Sequence, residues 1–200
     1  MLFEIAEYIG IVAFATSGFF VGVQNRLDFL GVLISVFLTT LGGGIMRDIA
    51  VDRIPYAFTQ NTPALMAIGV MTALILFRFH KKDSLENKAF FIVSDSIGLI
   101  SFSITGSMIA LEYGFNLTGV LALAFVTAVG GGIMRDIIIN EIPFVFKTGF
   151  YGTIALLIGL CLYVLDRYDL VQVYTIAVVF VLGVVLRLVA YYRKWSIPLV

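Results

Sequence analysis

The sequence predicts an all-α integral membrane protein. Seven transmembrane helices are expected, as two inverted three-helix repeats plus a seventh helix. Three observations carry this. Of the 200 residues, 60% are hydrophobic and 13% charged, with mean hydropathy +1.05. The apolar residues fall into long runs parted by short polar breaks. The first half of the chain also recurs in the second at an offset of 88 residues.

Soluble domains average about 45–50% apolar and about 25% charged residues. A soluble fold of this size cannot hide so much apolar surface. A soluble enzyme and a disordered chain are therefore disfavoured. Cys161 is the one cysteine, which rules out an intramolecular disulfide or a cysteine metal cage. Net charge is zero, so no basic face for nucleic acid is expected.

A spanning helix needs about 20 mostly apolar residues. The runs meeting this are 4–23, 29–56 with a break, 61–79, 89–111, 117–144 with a break, 147–165 and 170–192. They divide as a first repeat at 1–88, a second at 89–168, and a seventh helix with a tail at 169–200. The first run carries Glu4 and Glu7 rather than a basic leader, so it is read as a retained span. The lysines and arginines give the orientation. Arg47, Arg53 and Arg167 lie on one side. Arg26, Arg78, Lys81, Lys82, Lys88, Arg135, Lys147, Arg193 and Lys194 lie on the other. Cytoplasmic loops hold the excess, so the N-terminus is expected outside a cell (inner) membrane and the C-terminus in the cytoplasm. Tyr191, Tyr192 and Trp195 read as an interface anchor.

The repeat is densest at Leu41-Gly42-Gly43-Gly44-Ile45-Met46-Arg47-Asp48-Ile49, which returns as Val129-Gly130-Gly131-Gly132-Ile133-Met134-Arg135-Asp136-Ile137. The same offset pairs Gly10 with Gly98, Phe14 with Phe102, Gly18 with Gly106, and Ile54-Pro55 with Ile142-Pro143. Twelve of the 19 glycines pair this way. A unit of three spans enters the membrane the opposite way up when copied, and such repeats build many transporters.

Three adjacent glycines weaken a helix by about 1 kcal/mol each relative to alanine. A kink or unwound stretch near mid-membrane is therefore expected at each triplet. Small residues also let two helices approach closely, a second reading of the same triplets. Arg47-Asp48 and Arg135-Asp136 follow at a depth where a charge costs about 2.5–3.5 kcal/mol. They should face the interior and pair, either across the repeats or locally, as a clamp or as part of a solute path. Hydroxyls track the symmetry: Ser17 matches Thr105 and Thr39 matches Thr127. So do acids, Glu7 matching Asp95. Asp95 is read as a path residue or as an interfacial helix-start carboxylate. Arg187 is read as snorkelling to lipid, and Cys161 as inert packing. Pro55 and Pro143 are expected to end the broken helices. No nucleophile–base set, metal cluster or cofactor motif is present, so neither an enzyme nor a bound cofactor is expected.

Two three-helix units, each with Gly-Gly-Gly-x-x-Arg-Asp in its second helix, and a seventh helix resemble the trimeric intracellular cation (TRIC) channel family, in its prokaryotic branch. The resemblance covers about residues 4–192. It implies a homotrimer in membrane lipid with one pore per protomer. That pore would pass K⁺ and other monovalent cations such as Na⁺. It also implies that Gly42, Gly43, Gly44, Gly130, Gly131 and Gly132 kink the pore helices. Arg47, Asp48, Arg135 and Asp136 would be the charged pore residues; from the repeat symmetry alone, Ser17, Thr39, Thr105, Thr127 and Asp95 are expected along the path. Similar bacterial proteins are also regarded as transporters of small amino acids such as glycine. In that reading half-helix N-termini after Gly44 and Gly132 would face a substrate carboxylate.

Overall fold

The computed structural model describes residues 2–79, 84–147 and 150–195, without the side chains of 2–3 and 84–87. His80, Lys81 and Lys82 of the basic loop lie outside the described residues. The elements run α1 Leu2–Gln24, α2 Phe29–Ala50, α3 Tyr56–Thr59, α4 Thr62–Leu76, α5 Ser84–Glu112, α6 Leu117–Ile138, α7 Phe144–Lys147, α8 Gly152–Arg167 and α9 Val173–Tyr192. No strand occurs among the described residues.

The copies share their punctuation. Asp28 caps α2 by accepting from the Gly31 amide at 2.7 Å, and Asn116 caps α6 by accepting from the Gly119 amide at 2.9 Å. Such caps satisfy amides that a helix start leaves open. The chain leaves α1 through Arg26 at φ 54° and leaves α5 through Gly114 at φ 69°. There the Leu27 and Phe115 amides reach back to the Gly22 and Ala110 carbonyls. This left-handed exit is a common helix ending, and glycine adopts it without strain. Asp52 and Asn140 repeat it after α2 and α6, at φ 56° and 59°.

Helices α1, α2, α5 and α6 form the centre, with α1 against α5 and α2 against α6 across the repeats. Helix α4 packs on α1 and α2, and α8 on α5 and α6, while α9 lies against α5 and α8. Five segments are long and apolar enough to cross a membrane: Glu4–Gln24, Phe29–Ala50, Lys88–Glu112, Leu117–Ile138 and Val173–Tyr192. The helices α4 and α8 have 15 and 16 residues. At 1.5 Å per residue each spans about 22–24 Å, less than the roughly 30 Å of hydrocarbon. Each is preceded by a four-residue helix, α3 or α7.

The expected unwinding at the glycine triplets does not occur. Helices α2 and α6 run unbroken through Gly42–Gly44 and Gly130–Gly132. Glycine removes side chain here rather than hydrogen bonds. A Cβ at Gly43 would collide with the Thr127 carbonyl, and one at Gly131 would lie 2.5 Å from the Thr39 carbonyl oxygen. A Cβ at Gly42 would lie 3.0 Å from the Cα of Gly131. The two backbones touch, as small residues permit in membranes. Gly44 and Gly132 differ: a Cβ at Gly44 would meet Arg47 Nη2 and Glu7 Oε1, both at 3.7 Å, and one at Gly132 would meet Arg135 Nη2 at 3.8 Å. The chain breaks later, at Val51–Pro55 and Ile139–Pro143, so no half-helix begins after Gly44 or Gly132. Cys161 is exposed on α8 rather than packed inside.

Adjacent glycines should therefore respond unequally to alanine. Gly43→Ala must spread α2 from α6 and should cost about 1–3 kcal/mol, the usual scale of overpacking. Gly44→Ala should be tolerated. Thermal unfolding of the detergent-purified variants compares them, and equal losses would contradict the contact role.

Candidate functional site

The site is built where the two central helix pairs cross. On α2, Arg47 is buried and its Nε donates to Asp48 Oδ1 at 2.9 Å. Its Nη1 donates to Glu7 Oε2 on α1 at 2.6 Å and reaches Thr105 Oγ1 on α5 at 3.4 Å. On α6, Arg135 is equally buried and its Nε donates to Asp136 Oδ1 at 2.8 Å. Its Nη1 reaches across the repeats to Thr39 Oγ1 at 3.3 Å. Of the two pairings left open by the sequence, the local one holds. Charge-assisted bonds of this kind offset the desolvation of a buried guanidinium.

Each aspartate has a second task. Asp48 Oδ2 accepts from the Tyr56 amide at 2.8 Å, and Asp136 Oδ2 accepts from the Phe144 amide at 2.8 Å. The carboxylate that holds the arginine thus also holds the first residue of the short helix α3 or α7. Pro55 and Pro143 precede these amides, placing them at helix starts where they have no intrahelical partner. Arg53 adds a 2.8 Å bond to Asp48 Oδ1.

The hydroxyls lie inside the same crossing. Ser17 donates to Asp95 Oδ1 at 3.2 Å, and Thr127 to the Leu123 carbonyl at 2.6 Å. Thr39 donates to the Ser35 carbonyl at 2.7 Å, and Ser35 to that of Gly18 at 2.7 Å. Asp95 is buried within α5, so the reading of it as an interfacial helix start is corrected. Its Oδ2 has no hydrogen bond among the described residues, with Arg135, Tyr151 and Arg187 beside it. Arg187 does not snorkel. It is 1% exposed on α9, with its guanidinium over the Tyr151 ring at 4.7 Å and within 6 Å of the Phe144 and Tyr191 rings. Stacking on rings supplies a buried cation with attraction when bonds are lacking.

Cavities approach this crossing from both faces. On the face bearing the start of α1, a cavity of about 590 Å³ is lined by Glu4, Glu7, Tyr8, Asp52, Arg53 and Tyr56. Three acids against one base make it electronegative. On the opposite face a cavity of about 860 Å³ reaches Arg135 and Asp136. Its charged lining comprises Arg26, Lys88, Lys147 and Glu141, the last two paired at 2.7 Å. Between Glu7, Thr40, Gly44, Arg47 and Tyr56 only about 10 Å³ is free, room for about one water. Among the described residues no group of acids, histidines or cysteines could hold a metal ion.

Sequence reasoning overlooked Glu7, Tyr151, Arg187, Arg53 and Tyr56 as site residues. The first was within reach, because the repeat offset pairs it with Asp95. Tyr151 and Arg187 have no counterpart motif to reveal them.

The chain has relatives of known family and fold. The glycine transporter family model matches residues 4–81 and 92–167. The UPF0126 membrane protein YvgT of Bacillus subtilis is 33% identical over 198 residues, covering 99% of this chain and 96% of that protein. The UPF0126 inner membrane protein YadS of Escherichia coli K12 is 29% identical over 160 residues, covering 80% and 77%. Among solved structures, a prokaryotic TRIC channel crystallised in 0.5 M KCl superimposes with TM-score 0.89 at 30% identity, covering 98% of this chain and 99% of that one. A TRIC cation channel studied for its conductance gives 0.86 at 31%, covering 100% and 98%. The TRIC trimeric intracellular cation channel orthologue from Rhodobacter sphaeroides gives 0.87 at 26%, covering 96% and 97%. The chain belongs to this glycine transporter family of UPF0126 multi-pass membrane proteins and shares the fold of the prokaryotic TRIC cation channels.

Proposed function

We propose that the protein is a monovalent cation channel, permeable to K⁺, with a pore inside each protomer and three protomers per assembly. The observation that supports it is the pair of cavities on opposite faces: one reaches Arg135, and the other ends at Glu7 and Tyr56, which share a water-sized void with Arg47. This is the shape of a closed path rather than of a packed core. The acidic lining beside α1 raises the local cation concentration. Farther in, the Thr39 and Thr105 hydroxyls stand at Arg135 and Arg47 and, with the buried Thr127 hydroxyl, would replace water around an ion. Their own bonds turn the arginines aside. Asp48, Asp136 and Glu7 offset a charge that would otherwise repel the permeant ion. Opening requires both guanidinium groups to make way.

The seven-span reading joins α3 to α4 and α7 to α8 as the two shorter crossings, with 1–88 and 89–168 as the repeats. The lysine and arginine bias supports an inner-membrane protein with the N-terminus outside and the C-terminus in the cytoplasm. The trimer is supported by the orthologue of the same fold that is described as trimeric. Lipid around the helices and a permeant ion are the only non-protein components invoked.

A second reading, transport of a small amino acid such as glycine, is favoured by the description of the matching family model. Its proposed dipole mechanism lacks a helix start at either glycine triplet. The reading keeps the two arginines as carboxylate partners.

Purified protein in planar bilayers should give unitary K⁺ currents. Arg135→Gln should raise the unitary K⁺ conductance severalfold by removing a cation that faces the path at the inner end of the wide cavity. Silent bilayers, or a variant with lower K⁺ conductance and intact assembly, would count against the channel. Native mass spectrometry should find three chains of 22.0 kDa each, and a monomer in lipid-retaining detergent would contradict the trimer.

A further inference from the structure

The two arginines occupy matched positions, but they are not equally held. Arg47 bonds to two carboxylates on two helices, Asp48 and Glu7, with Thr105 behind them. Arg135 bonds to one, Asp136, which its Nε and Nη2 both approach at 2.8 Å, with Thr39. The difference lies at one position of the repeat. Where the first copy has Glu7, the second has Asp95, one methylene shorter. Asp95 Oδ1 takes the Ser17 hydroxyl, and its Oδ2 makes no hydrogen bond among the described residues. The seventh helix has no counterpart in either repeat, and it brings a further buried cation, Arg187, beside Asp95. The acid that would hold Arg135 is thus shared.

The surroundings differ in the same sense. Arg135 opens onto the 860 Å³ cavity and can be solvated as it moves. Arg47 adjoins a void of about 10 Å³, with the buried Thr40 hydroxyl unpartnered among the described residues at its wall. A charge displaced into dry surroundings loses its bonds without gaining water, so it moves less readily.

We infer that Glu7 is the latch of the closed state: its bond across to Arg47 makes that arginine the gate that limits opening, while Arg135 is the lightly held gate. This rests on the reading of the crossing as a solute path. It does not depend on what the path carries. Loss of one charge-assisted bond changes such an equilibrium by about tenfold.

The test uses the full-length protein in lipid with Cys161→Ser, since Cys161 is exposed and would react. Thr40→Cys then reports the void by its reaction with a cationic methanethiosulfonate. With Glu7 present the thiol should react slowly. Glu7→Gln should speed labelling by about tenfold or more, and Glu7→Asp, which keeps the charge and shortens the reach, should act in the same direction. In bilayers both changes should raise open probability. Asp95→Glu, which extends a carboxylate toward Arg135, should lower it. Unchanged or slower labelling in both Glu7 variants, or Asp95→Glu opening the path, overturns the latch. Faster labelling without any ion current upholds the latch and counts instead against the channel.

Discussion

A guanidinium inside a membrane protein has five N–H groups to satisfy and no bulk water to do it. Much of this structure follows from meeting that need twice. The aspartate after each arginine gives one oxygen to the guanidinium. It gives the other to the amide that opens the next short helix. The same carboxylate therefore fixes the arginine's direction, the path of the chain after the long helix, and the start of the following element. Removing the carboxylate would leave a buried cation and a loose chain segment together, which is why the two residues occur as a unit in both copies.

The glycine triplets serve this arrangement by geometry. Gly42 and Gly43 on one helix meet Gly130 and Gly131 on the other, so that the backbones of α2 and α6 lie in contact. The approach lets Arg135 reach Thr39 from the opposite repeat. The third glycine of each triplet, Gly44 or Gly132, leaves open the surface over which its arginine folds back. Two adjacent residues of one type thus do different things: one brings helices together and the next makes room for a charge. The hydrogen-bonded helix between them needs no break for either role.

Most of the architecture was legible in the sequence because it was written twice. The offset of 88 residues located the arginines, the aspartates and the threonines that the fold brings together. Composition placed the chain in a membrane. The continuity of α2 and α6 was not legible, because helix propensity counts the glycine cost and omits the contact with a helix 88 residues away. The pairing of each arginine with its neighbour was undecided, since one-residue spacing does not specify rotamers. Arg187 was misread because a charge near the end of an apolar run looks like a snorkelling residue. Only packing shows that Tyr151, at the start of α8, lies beneath it. The part of the site contributed by α9 has no repeat to announce it.

In the proposed channel, the path between Arg47 and Arg135 carries small cations. Flux of K⁺, Na⁺, Cl⁻ and glycine through a single preparation of proteoliposomes tests it most directly. K⁺ and Na⁺ movement should not saturate and should not be slowed by glycine, with little Cl⁻ movement. Saturable glycine uptake with no ion current would contradict the proposed channel and assign the same arginines to a substrate carboxylate.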